Sequence, residues 1–171
     1  MRDIEPIATE RLELLPLGVE HAAVLHGVLD DPGLHGFIGG EPESLRALTE
    51  RYRRWSAGSP DPAQRWLNWV IRVVAEDRLI GTLQATVDGT GAEVAWVVGT
   101  GWQGRGYARE AARALVGWLA GAGVRRVVAH VHPEHHASAA VAAAAGLTAT
   151  ERFQDGERCW ELLLQSGTGS G

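Results

Sequence analysis

Short stretches in which apolar and polar residues alternate recur along the chain, and this period of two is typical of β-strands with one buried face. Several of the stretches are rich in valine, isoleucine and tryptophan, which favour strands. Glycine, proline and aspartate, which favour turns, separate them. Seven strands are predicted, at Arg11–Leu15, Trp66–Val74, Leu79–Val87, Glu93–Val98, Val124–Val131, Leu147–Phe153 and Arg158–Leu164.

Four other stretches carry apolar residues at helical spacing. The predicted helices are Val19–Asp30, a segment that starts within residues 41–44 and ends near Trp55, Arg105–Ala120 and His136–Ala145. The resulting order, β-α-α-β-β-β-α-β-α-β-β, contains no repeat and no linker, and it indicates one α/β domain. We expect this domain to span residues 1–165, followed by a disordered glycine- and serine-rich tail at 166–171.

A glycine-rich turn lies between the predicted strand Glu93–Val98 and the predicted helix Arg105–Ala120. Glycine allows tight or left-handed backbone conformations and a close approach to a ligand. The helix that follows presents unpaired N–H groups and the positive end of its dipole, which together form an anion site. Arg105 and Arg109 add positive charge where the dipole disfavours it, so a phosphate ligand is predicted. The alternative is an ordinary strand–helix turn with two surface arginines.

One motif in this turn, Gly99-x-Gly101-x-x-Gly104, matches the G-x-G-x-x-G fingerprint of dinucleotide-binding proteins. That fingerprint needs an opening βαβ unit and an acidic residue about 20 positions further on. Here the motif lies past the middle of the chain, and the segment Gly121–Val124 contains no acid. A nicotinamide-dependent enzyme is retained as an alternative that rests on this pattern alone.

A second motif, Gln103-x-x-Gly106-x-Ala108, resembles the Q/R-x-x-G-x-G/A signature of the GCN5-related N-acetyltransferase (GNAT) superfamily, which binds acetyl-coenzyme A (acetyl-CoA). Flanking segments follow the order of the ribosomal-protein-alanine N-acetyltransferase (RimJ/RimL-like) branch, and with the motif they cover most of residues 8–164. These segments are Thr9–Leu14, Leu79–Gly81, Ala92–Trp96 and Ala137–Leu147.

The resemblance implies both the fold and the reaction. The fold would be a single mixed, mostly antiparallel central sheet of about seven strands, splayed between strands four and five, with about four helices. The reaction would be direct transfer of the acetyl group of acetyl-CoA to a primary amine in a ternary complex. The acceptor would be a protein N-terminus or a small-molecule amine, and the resemblance leaves a homodimer open.

The resemblance also implies which residues hold acetyl-CoA. Backbone N–H groups from Gly104 to Arg109 would bind the pyrophosphate, with the side chains of Arg105 and Arg109 as helpers. The fourth strand would pair with the pantetheine arm, and one of its N–H groups would polarise the thioester carbonyl. The implied coenzyme residues are Trp96, Val97, Val98, Gln103, Gly104, Arg105, Gly106, Tyr107, Ala108, Arg109 and His135.

Ser138 is the implied proton donor to the departing thiolate. The branch has a P-x-N-x-x-S arrangement, and here Pro133 and Ser138 are kept whereas His135 replaces the asparagine. Many family members also place a tyrosine acid on this helix, but residues 141–145 are valine and alanine only, which leaves Ser138 or a water as the donor. The alternative role of Ser138 is that of a helix N-cap. The missing asparagine and tyrosine keep open a non-catalytic acyl-CoA-binding or sensing module.

Two residues are candidates for the general base. Glu93 lies where the branch carries a glutamate that can act through water, and its alternative role is a surface or strand-pairing charge. His130 faces the same side of its strand as His132. An imidazole titrates near neutral pH and can take the proton of an amine; the alternative is a packed or exposed strand histidine. His130 and His132 with His135 and His136 could also suggest a metal site, but no nearby carboxylate or cysteine completes a clear ligand set, so no metal is expected.

Composition and charge agree with an enzyme of the cytoplasm. The chain has 171 residues, enough for one domain with a core, and 45% of them are hydrophobic and 22% charged, which is ordinary. The net charge of −5 gives little support to a nucleic-acid partner. No signal peptide or membrane span is recognised, and the single Cys159 fits a reducing compartment. Acceptor choice is expected to depend on the loops at 34–40 and 56–65.

Overall fold

The computed structural model describes residues 3–30 and 43–165, and within these ranges the chain forms eight β-strands and four α-helices. The strands are β1 (Ile7–Ala8), β2 (Leu12–Pro16), β3 (Gln64–Val73), β4 (Arg78–Asp88), β5 (Gly91–Val98), β6 (Arg126–Val131), β7 (Thr148–Gln154) and β8 (Glu157–Leu163). The helices are α1 (Ala22–Leu29), α2 (Leu45–Ala57), α3 (Tyr107–Gly121) and α4 (His136–Ala144), with 3-10 turns at Val19–His21 and Thr100–Trp102.

The strands form one sheet in the order β1-β2-β3-β4-β5-β6-β8-β7. Neighbouring strands run antiparallel except for β5 and β6, which are parallel because α3 connects them. The predicted mixed, mostly antiparallel sheet is therefore confirmed. It has one strand more than predicted, since Ile7 and Ala8 pair with Leu14 and Glu13 ahead of the alternating stretch.

The two faces of the sheet are covered by different helices. On one face, strand residues such as Trp69 and Val127 are buried together with residues of α3 and α4, including Leu115. On the other face, Val70 is buried with residues of α1 and α2, including Leu25. Because side chains alternate along a strand, consecutive residues within β5, and likewise within β6, point into different layers. The sheet therefore separates a layer formed by α3 and α4 from a layer formed by α1 and α2.

The central strands β5 and β6 are neighbours for only part of their length. They pair over three residue pairs, the last of which is Glu93 with Val128. Strand β5 nevertheless continues to pair with β4 as far as Val98, which lies opposite Gly81. Within the described part of the chain, residues 94–98 therefore have a strand partner on one side only. We call the opening between residues 94–98 of β5 and the end of β6 the seam; it confirms the predicted splay between the fourth and fifth predicted strands.

Three predicted helix starts are wrong by a few residues. The helix predicted from Val19 begins at Ala22, after a 3-10 turn at Val19–His21. The helix predicted from Arg105 begins at Tyr107, because Gly104 and Gly106 have φ angles of 79° and 82°, which a right-handed helix does not contain. The helix predicted to start within residues 41–44 begins at Leu45, where the Ser44 hydroxyl caps it.

The loop at 34–40 and the tail at 166–171 lie outside the described residues. Among the helices that are described, none has the length and apolar composition needed to cross a membrane.

Gly81 is the position at which the sheet leaves no room for a side chain. A Cβ atom at Gly81 would lie 2.0 Å from the carbonyl oxygen of Val97. We therefore expect Gly81→Ala to lower the free energy of unfolding by about 2 kcal/mol or more, because β5 must shift away from β4. At Gly117, inside α3, an added Cβ would meet no atom within 4 Å. The matched variant Gly117→Ala should instead be stabilised by about 0.5–1 kcal/mol. Urea unfolding of both variants measures the difference, and equal midpoints would contradict the close approach at Gly81.

Candidate active site

The turn between β5 and α3 has the conformation of an anion-binding loop. Gly104 and Gly106 are both left-handed, and Gly106 is the N-cap of α3. No protein acceptor is found, among the described residues, for the backbone N–H groups of residues 104–109. Successive N–H groups in such a turn converge on one point, and the dipole of the 15-residue helix α3 adds positive potential there. The turn, which we call the phosphate turn (residues 99–106), therefore has donors available for an anion, and phosphate binding there stays a prediction.

The turn is tied to the end of the sheet by two hydrogen bonds. The side-chain amide of Gln103 donates to the carbonyl oxygen of Val98 over 2.9 Å. The N–H of Gly99 donates to the carbonyl oxygen of Ile80 over 2.9 Å. The glutamine of the sequence motif thus fixes the loop to β5, where the strand leaves the sheet.

A cavity of about 270 Å³ extends from this turn along the seam to α4. All predicted coenzyme residues line it except Arg105, whose guanidinium lies over the ring of Trp102 at 5.2 Å. Ser138, one of the predicted catalytic residues, also lines it. The lining residues are Trp96, Val97, Val98, Trp102, Gln103, Gly104, Gly106, Tyr107, Ala108, Arg109, His135, Ala137, Ser138 and Val141.

Ser138 is linked to the cavity wall on the other side of the seam. The indole N–H of Trp96 on β5 donates to the Ser138 hydroxyl oxygen over 3.1 Å. An indole nitrogen can only donate, so the Ser138 oxygen is the acceptor and its own O–H is left to donate elsewhere. Ser138 is the third residue of α4 and does not cap it. The N-cap is His135, so the capping alternative for Ser138 is wrong.

His135 caps α4 through its side chain. Its Nδ1 accepts a hydrogen bond of 3.3 Å from the N–H of Ser138, which requires a neutral ring with its proton on Nε2. Burial lowers the pKa of His135 below its ordinary value, and the neighbouring His132 and His136 lower it further. His135 thus provides a helix cap, as an asparagine at this position could, as long as its Nδ1 carries no proton.

Glu93 and His130, predicted as separate candidates for the base, lie together. The Nδ1 atom of His130 is 2.9 Å from Oε1 of Glu93. An ionised carboxylate only accepts, so Nδ1 carries the proton and Nε2 is left as the basic nitrogen. The His130 side chain is 15% exposed and that of Glu93 is 55% exposed, so the pair lies at the surface of the seam.

The two polar pairs lie in different layers. Ser138 belongs to α4, in the layer of α3 and α4, and Trp96 packs against the core of that layer. Glu93 follows the buried Ala92 of that core and points to the opposite face, as does His130 beyond the buried Ala129. The two pairs therefore lie on opposite faces of the sheet, and of these four residues Trp96 and Ser138 line the cavity whereas Glu93 and His130 do not.

Sequence reasoning missed a third polar group, on the outer side of the turn. Glu110 of α3 accepts hydrogen bonds from the Thr9 hydroxyl at 2.5 Å, from the Arg11 N–H at 2.9 Å and from Arg11 Nε at 2.7 Å. Nearly 100 residues of chain separate these partners, so no local pattern indicates the contact. In the sequence, the family resemblance of the Thr9–Leu14 segment is the signal that points to this region.

Comparison with protein families gives one match that spans most of the chain. Residues 11–148 match the acetyltransferase (GNAT) domain. No curated protein matches the chain in sequence.

Solved structures of acetyltransferases superpose on nearly the whole chain. An acetyltransferase from Agrobacterium tumefaciens is 26% identical, with a TM-score of 0.75 over 95% of this chain and 96% of that one. An acetyl transferase from Salmonella typhimurium that modifies the N-terminal serine of a 50S ribosomal-subunit protein is 17% identical (TM-score 0.78; 94% and 100% covered). A spermidine N-acetyltransferase from Vibrio cholerae, in complex with CoA and spermine, is 20% identical (TM-score 0.72; 91% and 97% covered). The last two likenesses show a shared fold.

The neutral state of His135 makes the stability of the protein depend on pH. Because the pKa of His135 is lower in the folded chain than its ordinary value of 6.5, the unfolded chain takes up a proton first as the pH falls. The folded state therefore loses stability below about pH 6.5. Asparagine also caps helices but does not titrate. We expect His135→Asn to lose fewer degrees of Tm than the unsubstituted protein between about pH 7.5 and about pH 5.5. Parallel Tm curves for the two proteins would contradict a titrating cap.

Proposed function

The chain belongs to the GNAT family of acetyltransferases, and we propose that it transfers the acetyl group of acetyl-CoA directly to a primary amine while both substrates are bound. The observation that carries this proposal is the seam, with the phosphate turn at its end and a polar pair on each of its faces. Each part of the seam has a counterpart in the reaction.

The phosphate turn fits the pyrophosphate of the coenzyme. The unused N–H groups of residues 104–109 offer several donors to an anion, and Arg109 lines the same cavity. Arg105 holds its guanidinium over Trp102, outside the cavity lining. We therefore assign the pyrophosphate to the backbone of the turn and to Arg109, with Arg105 adding charge nearby.

The open edge of β5 fits the pantetheine arm, which contains two amide groups. Residues 94–98 lack a strand partner on the seam side, and an amide chain can add there as a further strand would. Trp96, Val97 and Val98 line the cavity along this edge. An N–H group of this edge would polarise the thioester carbonyl, because a donor fixed by the sheet needs no reorganisation during the reaction.

The Glu93–His130 pair fits the role of general base. An amine attacks only in its neutral form, so a proton must leave it before or during the transfer. The carboxylate of Glu93 orients the His130 ring and leaves Nε2 free to take this proton. Glu93 would also stabilise the imidazolium that results, as a carboxylate partner does for a catalytic histidine. The acceptor amine would thus approach from the face of α1 and α2.

Ser138 fits the role of proton donor to the departing thiolate. The indole N–H of Trp96 holds the Ser138 oxygen, and it polarises the hydroxyl so that its O–H becomes a better donor. Ser138 lines the cavity beside the strand edge that would hold the thioester. Trp96 therefore acts as a positioning residue for Ser138, besides lining the coenzyme site.

Both acceptor classes implied by the sequence remain within this proposal. The Salmonella typhimurium neighbour modifies a protein N-terminus, and the Vibrio cholerae neighbour is named for spermidine. A protein N-terminus and a polyamine share the primary amine, which is the group that the Glu93–His130 pair would deprotonate. The acceptor is accordingly proposed at the level of a primary amine.

The proposed reaction predicts release of CoA that depends on an amine. We expect a thiol reagent to detect CoA release from acetyl-CoA when one class of acceptor is added from a panel of peptides, polyamines, aminoglycosides and amino acids. The control reaction lacks the acceptor and should give only slow hydrolysis. A raised Tm with acetyl-CoA, but no turnover with any acceptor, would contradict the transferase proposal and favour a binding module.

The two proton-handling roles predict different pH–rate profiles. We expect His130→Ala to lower kcat about 100-fold or more and to remove the limb on which the rate rises with pH, because the base is lost. Ser138→Ala should lower kcat and keep that limb, since it removes the proton donor alone. Glu93→Gln should cause the same two changes as His130→Ala, but to a smaller extent. The control variant His132→Ala, one residue beyond the end of β6, should keep the kcat and the pH profile of the unsubstituted enzyme. An unchanged rising limb in both His130→Ala and Glu93→Gln would exclude the pair as the base.

A further inference from the structure

Arg11, in the chain segment that leads into β2, lies against the outer side of the phosphate turn. Its Nη1 donates to the carbonyl oxygen of Arg105 over 2.9 Å. Its Nε donates to Glu110 over 2.7 Å, and its guanidinium lies over the ring of Tyr107 at 4.5 Å. A Cβ atom at Gly106 would come within 3.3 Å of Nη2. One side chain thus contacts Arg105, Tyr107 and Glu110 and lies close to Gly106, although it does not line the cavity.

The contact with Arg105 sets the direction of one N–H donor. In a planar trans peptide the C=O and the N–H point in opposite directions. Since the Arg105 carbonyl points to Arg11, the N–H of Gly106 points away from Arg11. Gly106 lines the cavity on that side, and no protein group among the described residues accepts its N–H. A glycine in a left-handed conformation rotates easily, so this peptide group depends on an outside contact to stay in place.

The contact with Glu110 compensates a negative charge beside the proposed phosphate site. Glu110 lies in the first turn of α3, next to the N–H groups that would receive the pyrophosphate. Burial opposes its charge, but hydrogen bonds from Thr9 and Arg11 prevail and keep the pKa of its carboxyl below the ordinary value. Glu110 is therefore ionised at neutral pH, and an unpaired carboxylate here would repel the coenzyme. Arg11 supplies the compensating positive charge.

We propose that Arg11 is a positioning residue of the coenzyme site: its guanidinium fork holds the Arg105–Gly106 peptide group with one arm and neutralises Glu110 with the other. This inference rests on the proposed function, because it assumes that the turn receives the phosphates of acetyl-CoA. Coenzyme affinity would then depend on a residue of the N-terminal segment as well as on the Gln103-x-x-Gly106-x-Ala108 motif.

The test compares the affinity of acetyl-CoA for Arg11→Gln and Arg11→Lys, measured by isothermal titration calorimetry. Arg11→Gln should weaken binding about tenfold, because one oriented donor and one compensating charge are lost. Arg11→Lys should weaken it about threefold, since a single ammonium keeps the charge but cannot reach both Glu110 and the Arg105 carbonyl. In turnover assays KM for acetyl-CoA should rise by the same factors, while kcat and KM for the acceptor stay unchanged.

Arg126→Gln is the matched control. Arg126 donates through Nε to Glu161, and the two side chains are 47% and 23% exposed, against 42% and 18% for Arg11 and Glu110. This variant loses a similar surface pair, on β6, and should bind acetyl-CoA as the unsubstituted protein does.

Three outcomes separate the possible failures. A Kd for Arg11→Gln within twofold of the control would overturn the positioning role. Full affinity in Arg11→Lys would reduce the role to charge alone and overturn the part played by the peptide group; this variant also carries the test if Arg11→Gln does not fold. An unsubstituted protein that does not bind acetyl-CoA would instead overturn the proposed function.

Discussion

The parting of β5 and β6 is the constraint on which the rest of the site depends. Backbone N–H and C=O groups inside a sheet need partners, and residues 94–98 of β5 have a strand on the β4 side only. Such an edge in the middle of a domain accepts a chain-like ligand in place of the missing strand. The short parallel ladder that ends at Glu93 and Val128 keeps the two strands close enough for side chains to act across the opening. A wider gap would leave the same residues without a shared ligand.

The phosphate turn meets a second requirement, which is that flexible glycines hold one conformation. Two left-handed glycines in one short loop lose much conformational entropy on folding. The loop is held by segments that are remote from one another in sequence: Gln103 binds the end of β5, Gly99 binds β4, and Arg11 binds the loop from the N-terminal side. These three hydrogen bonds, to three different parts of the chain, hold the glycine-rich loop so that its N–H donors keep a fixed arrangement.

Most of the fold, and most of the residues that line the cavity, were predictable because short sequence patterns indicate them. Alternation placed the strands, the Gln103-x-x-Gly106-x-Ala108 motif located the turn that we propose for the phosphates, and the family resemblance implied the splayed sheet, which the strand pairing confirms. The start of α3 was wrong, because helical periodicity cannot show that Gly104 and Gly106 are left-handed. The family and its acetyltransferase activity, read from the same residues, are confirmed by the domain match.

What the sequence did not show were contacts between distant segments. Glu93 and His130 were weighed as alternatives, whereas register and splay bring them within one hydrogen bond. Ser138 was weighed against a capping role that belongs to His135. Arg11 and Glu110 are 99 residues apart, and no sequence pattern links the two positions.

The polar pairs have one further property that follows from where the sheet divides. Glu93 and Trp96 belong to the half of the sheet that ends with β5, whereas His130 and Ser138 belong to β6 and α4 beyond the seam. Each hydrogen bond therefore bridges two halves of the sheet whose strands pair directly only through the short ladder of β5 and β6. A displacement that widens the seam would lengthen both bridges together, so the two proposed proton-transfer groups would depend on the spacing of the same two strands.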